Sequence, residues 1–111
     1  MLAAGAMRSE RLVGPAHYAA ELTNLVRKAY RFSRIDRDER DEALRRADRL
    51  LARTSIDTGA SPTRVNDVAE QHRLSTYDAF YLELALRTAL PIVTADGVLA
   101  DAADAIGLRY R

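Results

Sequence analysis

Three acidic residues, Glu21, Asp78 and Asp96, are the side chains of this sequence that could together carry out chemistry. Asp78 lies in an aromatic-rich segment with helical spacing, and Asp96 follows a short β-branched run. Glu21 lies at the edge of an apolar helical stripe, where a carboxylate has little structural reason to be. Carboxylates near the ends of elements in one small domain could converge on Mg²⁺ or Mn²⁺, which favour oxygen ligands. Such a cation can generate hydroxide and stabilise the charge that develops during phosphodiester hydrolysis.

Each of these acids also has a purely structural interpretation. Ser75 and Asp78 match S-x-x-D, a variant of the capping box that begins a helix. Asp96 stands between a predicted strand and a predicted helix, which is a favoured N-cap position. Glu21 could reach water from the edge of its stripe. From the residues alone, both interpretations of each acid remain open.

Composition excludes most other kinds of site. The chain has no cysteine, so disulfides, thiolate zinc sites and cysteine nucleophiles are absent. His17 and His72 are far apart in sequence and lack partners at metal-ligand spacing. No uncharged run approaches the ~18 residues of a membrane-spanning helix, and the first residues do not resemble a secretory signal. We therefore expect one cytoplasmic domain over residues 1–111, and the net charge of +1 neither demands nor forbids a nucleic-acid partner.

Strand and helix patterns alternate along the chain. The predicted strands are residues 11–14, 54–57, 91–95 and 108–111, and the predicted helices begin near Pro15, Arg37, Pro62, Thr76 and Gly97. This alternation predicts an α/β fold with a mainly parallel sheet flanked by helices. In such sheets, active groups gather at the carboxyl ends of the strands, and Asp96 follows one of these ends.

Apolar residues at helical spacing predict the buried faces of three helices. The first face has Tyr18, Leu22, Leu25, Val26, Ala29 and Phe32; the second has Leu44, Ala47, Leu50 and Leu51; the third has Tyr77, Phe80, Tyr81, Leu84 and Ala85.

The segments LVGPAHYAAELTNLVRKA and LSTYDAFYLELALRTALPIVTADGVLADAA strongly resemble the PIN-domain ribonucleases, most closely the VapC-type toxins of bacterial toxin–antitoxin pairs. The family pattern P-x-x-x-x-E-x-x-N is matched by Pro15, Glu21 and Asn24, with one extra residue in the spacer. The pattern S-x-Y-D is matched at Asp78, and T-x-D is matched by Thr94 and Asp96.

The resemblance implies a PIN-like three-layer domain that binds Mg²⁺ or Mn²⁺ and cleaves RNA. By this resemblance Asp78 and Asp96 bind the metal, and Glu21 shares the ligation or orients the attacking water. Thr94 is expected to hydrogen-bond near the metal, and Asn24 to steady the neighbouring loop. The implied partners are a cognate antitoxin protein and further copies of the chain, as a homodimer or higher oligomer.

The N-terminal region departs from the family pattern. Domains of this type open with a strand that carries the first catalytic aspartate, whereas this sequence starts at a point that corresponds to the end of the following helix. The only acid before Glu21 is Glu10, which lies in the wrong element. We therefore expect an N-terminally truncated domain with little or no Mg²⁺-dependent cleavage of RNA. The alternatives are a catalytically inactive remnant that binds itself, an antitoxin or a full-length relative, and an unrelated small helical protein without parallel strands.

Oligomerisation is expected because the N-terminal elements of the family pattern are absent. The apolar faces that include Tyr18, Leu22 and Phe32 on one helix and Leu44 and Leu51 on another would pack partly against the absent elements. The uncovered surface would exceed the few hundred Å² that a soluble monomer usually exposes.

Overall fold

The computed structural model describes residues 12–89 and 95–108 of the chain, without the side chains of residues 95, 96 and 99. In these residues the elements are β1 Leu12–Gly14, α1 Tyr18–Arg31, α2 Arg37–Ala52, β2 Thr54–Ile56, α3 Pro62–His72, α4 Thr76–Thr88 and α5 Ala95–Ala105. The predicted strands at 11–14 and 54–57 and the predicted helices are confirmed to within a few residues.

The strands β1 and β2 form a short parallel sheet, in which Leu12 is opposite Thr54 and Gly14 is opposite Ile56. Beyond the last pair, the backbone N–H of Asp57 donates to the carbonyl of Gly14 at 2.8 Å. Parallel strands need a long crossover connection, which α1 and α2 provide. The prediction of an α/β fold with a parallel sheet is confirmed, and the alternative of a helical protein without parallel strands is wrong.

The predicted elements in the C-terminal region fall partly outside the described residues. The predicted strand at 91–95 lies there except for Ala95, which is the first residue of α5. This helix therefore begins two residues before the predicted Gly97. It ends before Gly107, whose φ of +86° is the left-handed conformation that favours glycine. Of the predicted strand at 108–111, only Leu108 is described, and it is buried.

The main core lies where α1, α2 and α5 meet beside β1. Its buried side chains are Leu12, Tyr18, Leu22, Val26, Ala43, Ala47, Leu50, Ala102, Ala103, Ile106 and Leu108. Tyr18 and Leu22 are thus covered within the chain, contrary to the expectation of an uncovered face. Phe32 and Leu44, by contrast, are 59% and 37% exposed. Phe32 follows the last residue of α1 as its C-cap, and α2 turns Ala43 rather than Leu44 into the core.

Helices α3 and α4 pack against each other. On α4, Tyr81, Leu84 and Ala85 are buried as predicted, whereas Tyr77 is 63% exposed, so its assignment to the buried face is wrong. Ala79 and Glu83, one turn apart, are buried on the opposite side of this helix. The helix is therefore covered on two sides, and its first turn, with Tyr77, projects beyond that cover. No helix of the described residues is long and apolar enough to cross a membrane.

Candidate active site

The carboxylate of Glu21 connects α1 to α4. Glu21 lies in the first turn of α1, and its Oε1 accepts a hydrogen bond of 2.5 Å from the hydroxyl of Tyr81. The same oxygen is 3.0 Å from Nε2 of His17, one turn earlier. Glu21 keeps a side-chain exposure of 25%, which agrees with its predicted edge position. Since α1 follows β1 after a short connection, this cluster stands at the carboxyl end of a parallel strand.

The imidazole of His17 is enclosed by aromatic rings of α4. Its ring centroid lies 5.1 Å from that of Tyr77 and 5.3 Å from those of Phe80 and Tyr81. The 3.0 Å contact with Glu21 is short but poorly aligned, so neither ring nitrogen has a hydrogen-bond partner among the described residues. The contact between His17 and Glu21 is therefore an ion pair when His17 is protonated. In either state, the imidazole ring lies between the carboxylate of Glu21 and the aromatic side chains of α4.

Two buried phenols lie beside the carboxylates. Burial raises the pKa of Tyr81, and the hydrogen bond and charge of Glu21 raise it further, with a contribution from the charge of Asp78. Burial, followed by the charge of Glu21, raises the pKa of Tyr18 to about 12. Both phenols are therefore protonated at neutral pH, and Tyr81 is the donor toward Glu21. The charges of Glu21 and Asp78 both contribute to the raised pKa of Tyr81.

Asp78 lies in the first turn of α4, and capping there does not use its carboxylate. Oγ of Ser75 accepts from the backbone N–H of Asp78 at 3.2 Å, which confirms Ser75 as the N-cap. At Asp36, which begins α2, both halves of a capping box form: the Asp36 side chain accepts from the N–H of Glu39, and the Glu39 side chain accepts from the N–H of Asp36. For α4 only the first half is present among the described residues, so the exposed carboxylate of Asp78 is left for another role.

The other predicted site residues are only partly described. Asp96 is the second residue of α5, and the position of its side chain lies outside the description. Thr94 also lies outside the described residues. Asn24 is exposed on α1, three residues after Glu21. The structure therefore describes Glu21 beside Tyr81, and Asp78 in the first turn of the same helix α4, and the approach of the three acids to one another stays a prediction.

The donor atoms of this site suit a hard divalent cation. Carboxylate oxygens are the ligands that Mg²⁺ and Mn²⁺ favour. Within the described residues, no three histidine or acidic side chains are grouped closely enough to hold a metal ion. Tyr81 and His17 both approach Oε1 of Glu21, so Oε2 is the atom of this carboxylate that could ligate a cation. Glu21 and Asp78 thus fit two positions of a carboxylate site that needs a third acid.

A second cluster of charged side chains, centred on Arg87, was not predicted. The guanidinium of Arg87 donates to both oxygens of Glu83, at 2.7 and 3.0 Å, and to both oxygens of Asp57, at 3.2 and 2.5 Å. Glu83 is only 2% exposed, and Nε of Arg64 lies 3.7 Å from its Oε2. Bonding to Arg87 holds the pKa of Asp57 below its usual range. Because Asp57 follows β2, this Arg87 cluster connects α4, the helix that carries Asp78 and Tyr81, to the end of the sheet.

Sequence spacing contained part of the signal for these contacts. His17 and Glu21 are four residues apart, as are Glu83 and Arg87, and on a helix this spacing makes side chains neighbours. The reach of Tyr81 to Glu21 and that of Arg87 to Asp57 depend on packing between elements, which no local pattern encodes.

Comparison with known proteins identifies the family of the chain. A family model for the PIN domain matches residues 1–105. No curated protein and no solved structure gives a significant match. The matched region includes both strands, all five described helices and the three candidate acids. The chain therefore belongs to the PIN domain family, whose fold generally serves metal-dependent nucleases.

Proposed function

We propose that this chain is a VapC-type toxin ribonuclease, or a truncated derivative of one, whose site serves the hydrolysis of RNA phosphodiester bonds with Mg²⁺ or Mn²⁺. The observation that carries the proposal is the contact of Glu21, on α1, with Tyr81 of α4, the helix whose first turn carries Asp78. These acids come from helices about 60 residues apart, and each has a carboxylate oxygen that local capping does not use. Membership of a family of metal-dependent nucleases supports the same chemistry.

In this proposal, Asp78 and Asp96 hold the cation, and Glu21 shares the ligation or orients the attacking water. A bound cation would supply an activated water and stabilise the charge that develops on the phosphate. The hydroxyl of Tyr81 holds Oε1 of Glu21 in place, and the covered side of α4 fixes Tyr81 itself. Thr94 and Asn24 have supporting roles beside the metal and the adjacent loop.

Metal binding is tested by thermal unfolding with and without millimolar Mg²⁺ or Mn²⁺. We expect the cation to raise the melting temperature, because a ligand at about 10 to 100 times its Kd stabilises the folded state by roughly 1.4 to 2.7 kcal/mol. Asp78→Asn should abolish the rise. Asp36→Asn is the matched control: it removes one carboxylate charge at the start of α2, and asparagine is an equally good N-cap there.

An unchanged melting temperature of the wild-type protein over the millimolar range would refute the metal site. Equal shifts in wild type, Asp78→Asn and Asp36→Asn would place the bound cation elsewhere on the protein.

Hydrolysis is tested on single-stranded RNA with Mg²⁺ or Mn²⁺, using the 111-residue chain and a chain extended by any in-frame residues encoded before Met1. Cleavage in either form should disappear in Asp78→Asn and in Asp96→Asn. Cleavage that survives both changes would contradict the assignment of these residues.

One observation favours a second candidate, a PIN domain that binds partners without cleaving RNA. The hydroxyl of Tyr81 donates a direct hydrogen bond to Oε1 of Glu21, and this bond competes with a cation for the carboxylate. Tyr81→Phe removes the hydroxyl and keeps the ring. If Tyr81→Phe gains a metal-dependent rise in melting temperature that the wild type lacks, this second candidate is favoured.

We further propose that the chain forms a homodimer or higher oligomer and binds a cognate antitoxin. A groove of about 540 Å³ lies between α1 and α2, with an apolar floor that includes Val26 and Leu44. Arg27, Arg31 and Arg40 line it. This groove would suit a partner segment that carries apolar and acidic side chains.

A further inference from the structure

We propose that the ring of Tyr77 is a stacking platform for a nucleobase of single-stranded RNA, next to the phosphate that the proposed site hydrolyses. This inference rests on the proposed function and names the part of the RNA that the site recognises. Three features of Tyr77 support it: its exposure, its ring contact with His17 and the contact of His17 with Glu21.

The exposure of Tyr77 follows from its place in the first turn of α4, which projects beyond the cover that the described residues give this helix. It is 63% exposed, more than any other large apolar side chain of the described residues. This ring belongs to the residue directly before Asp78. A base that stacks on it would cover apolar surface at the edge of the candidate site.

The orientation of Tyr77 is held on two sides. Its backbone lies in the first turn of α4, which Ser75 caps. One part of its ring touches the imidazole of His17, at a centroid distance of 5.1 Å and an interplanar angle of 56°. A ring that is fixed before binding loses little conformational entropy when a base covers it.

The position of Tyr77 relative to Glu21 suits one nucleotide. The imidazole of His17 touches the ring of Tyr77 on one side and lies 3.0 Å from Glu21 Oε1 on the other. Only this one ring therefore separates the exposed aromatic surface from the carboxylate. A nucleotide whose base lies on Tyr77 would place its phosphate toward Glu21 and Asp78, where a cation would offset the repulsion between phosphate and carboxylates.

Stacking on an aromatic ring is possible for every base, so this contact predicts little sequence selectivity. Bases that stack more strongly should bind more tightly. We therefore expect the protein to bind oligoadenylate more tightly than oligouridylate through this contact.

The experiment measures, by fluorescence anisotropy, the binding of short fluorescein-labelled oligoadenylate and oligouridylate to the protein. The buffer contains Ca²⁺ in place of Mg²⁺ and Mn²⁺, and a gel checks that the RNA stays intact. Tyr77→Leu keeps an apolar side chain and removes the aromatic face, and Tyr77→Phe keeps the face and removes the hydroxyl. Phe32→Leu is the matched control, because Phe32 is also an exposed aromatic, 59% exposed, at the far end of α1.

We expect Tyr77→Leu to weaken the binding of oligoadenylate roughly 5- to 140-fold, since stacking contributes about 1 to 3 kcal/mol per base. The difference between the two oligonucleotides should shrink in this variant. Tyr77→Phe and Phe32→Leu should bind like the wild type. The metal-dependent rise in melting temperature should persist in Tyr77→Leu, which separates a lost stacking contact from a lost metal site.

Equal binding by wild type and Tyr77→Leu would overturn the inference while leaving the metal site and hydrolysis standing. A change of oligomeric state in Tyr77→Leu without a change in RNA binding would also overturn it, in favour of a protein contact. Absence of RNA binding by the wild type would overturn the inference and the proposed function together. Binding without any cleavage would remove hydrolysis only, and the ratio between wild type and Tyr77→Leu would still decide the stacking contact.

Discussion

Replacing Arg87 with alanine should destabilise the protein strongly, because it leaves a buried carboxylate without its main partner. Arg87 donates two hydrogen bonds to Glu83 and two to Asp57. Glu83 is 2% exposed, so water cannot replace these bonds without a local opening of the structure. The one other cation near Glu83 in the described part of the chain is Arg64, at 3.7 Å and 65% exposed.

The magnitude follows from these numbers. Removing one partner of a buried ion pair costs about 3 to 5 kcal/mol. Arg87 and Asp57 retain exposures of 25% and 18%, and Arg64 can compensate in part, so we expect the lower limit, about 3 kcal/mol. At about 2.1 cal/mol/K per residue, the unfolding entropy of a 111-residue chain is about 0.23 kcal/mol/K. The melting temperature should therefore fall by roughly 13 °C at neutral pH.

The assay is thermal unfolding followed by circular dichroism, for wild type, Arg87→Ala, Arg87→Lys and the control Arg45→Ala. Arg45 is 60% exposed and pairs with Glu42 on the surface of α2, so its loss should leave the melting temperature nearly unchanged. Arg87→Lys keeps the charge without the planar fork and should lie between Arg87→Ala and the wild type. A shift in Arg87→Ala no larger than that in Arg45→Ala would refute the argument.

The same variant has a predicted pH dependence. Hydrogen bonds from Arg87, and then its charge, lower the pKa of Asp57 in the folded protein. A lowered folded-state pKa contributes stability above the usual aspartate value, near 3.9, and this contribution disappears as pH falls through the folded-state pKa. The stability difference between wild type and Arg87→Ala should therefore be full at neutral pH and shrink below about pH 4. A difference that grows on acidification would contradict this assignment.

Two other outcomes are expected. The pKa of Tyr18 is raised from 10.0 to about 12, so the stability that this phenol contributes is complete below pH 10 and is lost as pH rises toward 12. In unfolding experiments at alkaline pH, Tyr18→Phe should therefore lose less stability than the wild type. Equal losses would contradict the role of this phenol. Light scattering at micromolar concentration should give a mass above that of the 12.3 kDa chain, because Phe32 and Leu44 remain exposed, and a well-behaved monomer would refute the oligomer.

Local patterns in the sequence predicted much of the fold. The two strands, the helix order and the capping residue Ser75 follow from residue types and spacing within a few positions. These features depend on interactions between near neighbours in the chain, namely backbone conformation, N-caps and the apolar period of each helix. Glu21 and Asp78 were likewise chosen as candidate residues from local sequence patterns and from the resemblance to PIN domains.

Tertiary structure decided the contacts between elements that are distant in sequence. Tyr77 and Tyr81 are four residues apart and equally apolar in pattern, yet Tyr77 is exposed and Tyr81 is buried, because the cover over α4 leaves its first turn free. Glu83 is charged and is nevertheless buried, because Arg87 satisfies its charge and also pairs with Asp57 at the end of β2. Helical periodicity determines which residues share a face, whereas the burial of that face and the partners of its charged groups depend on how the helices and strands pack together.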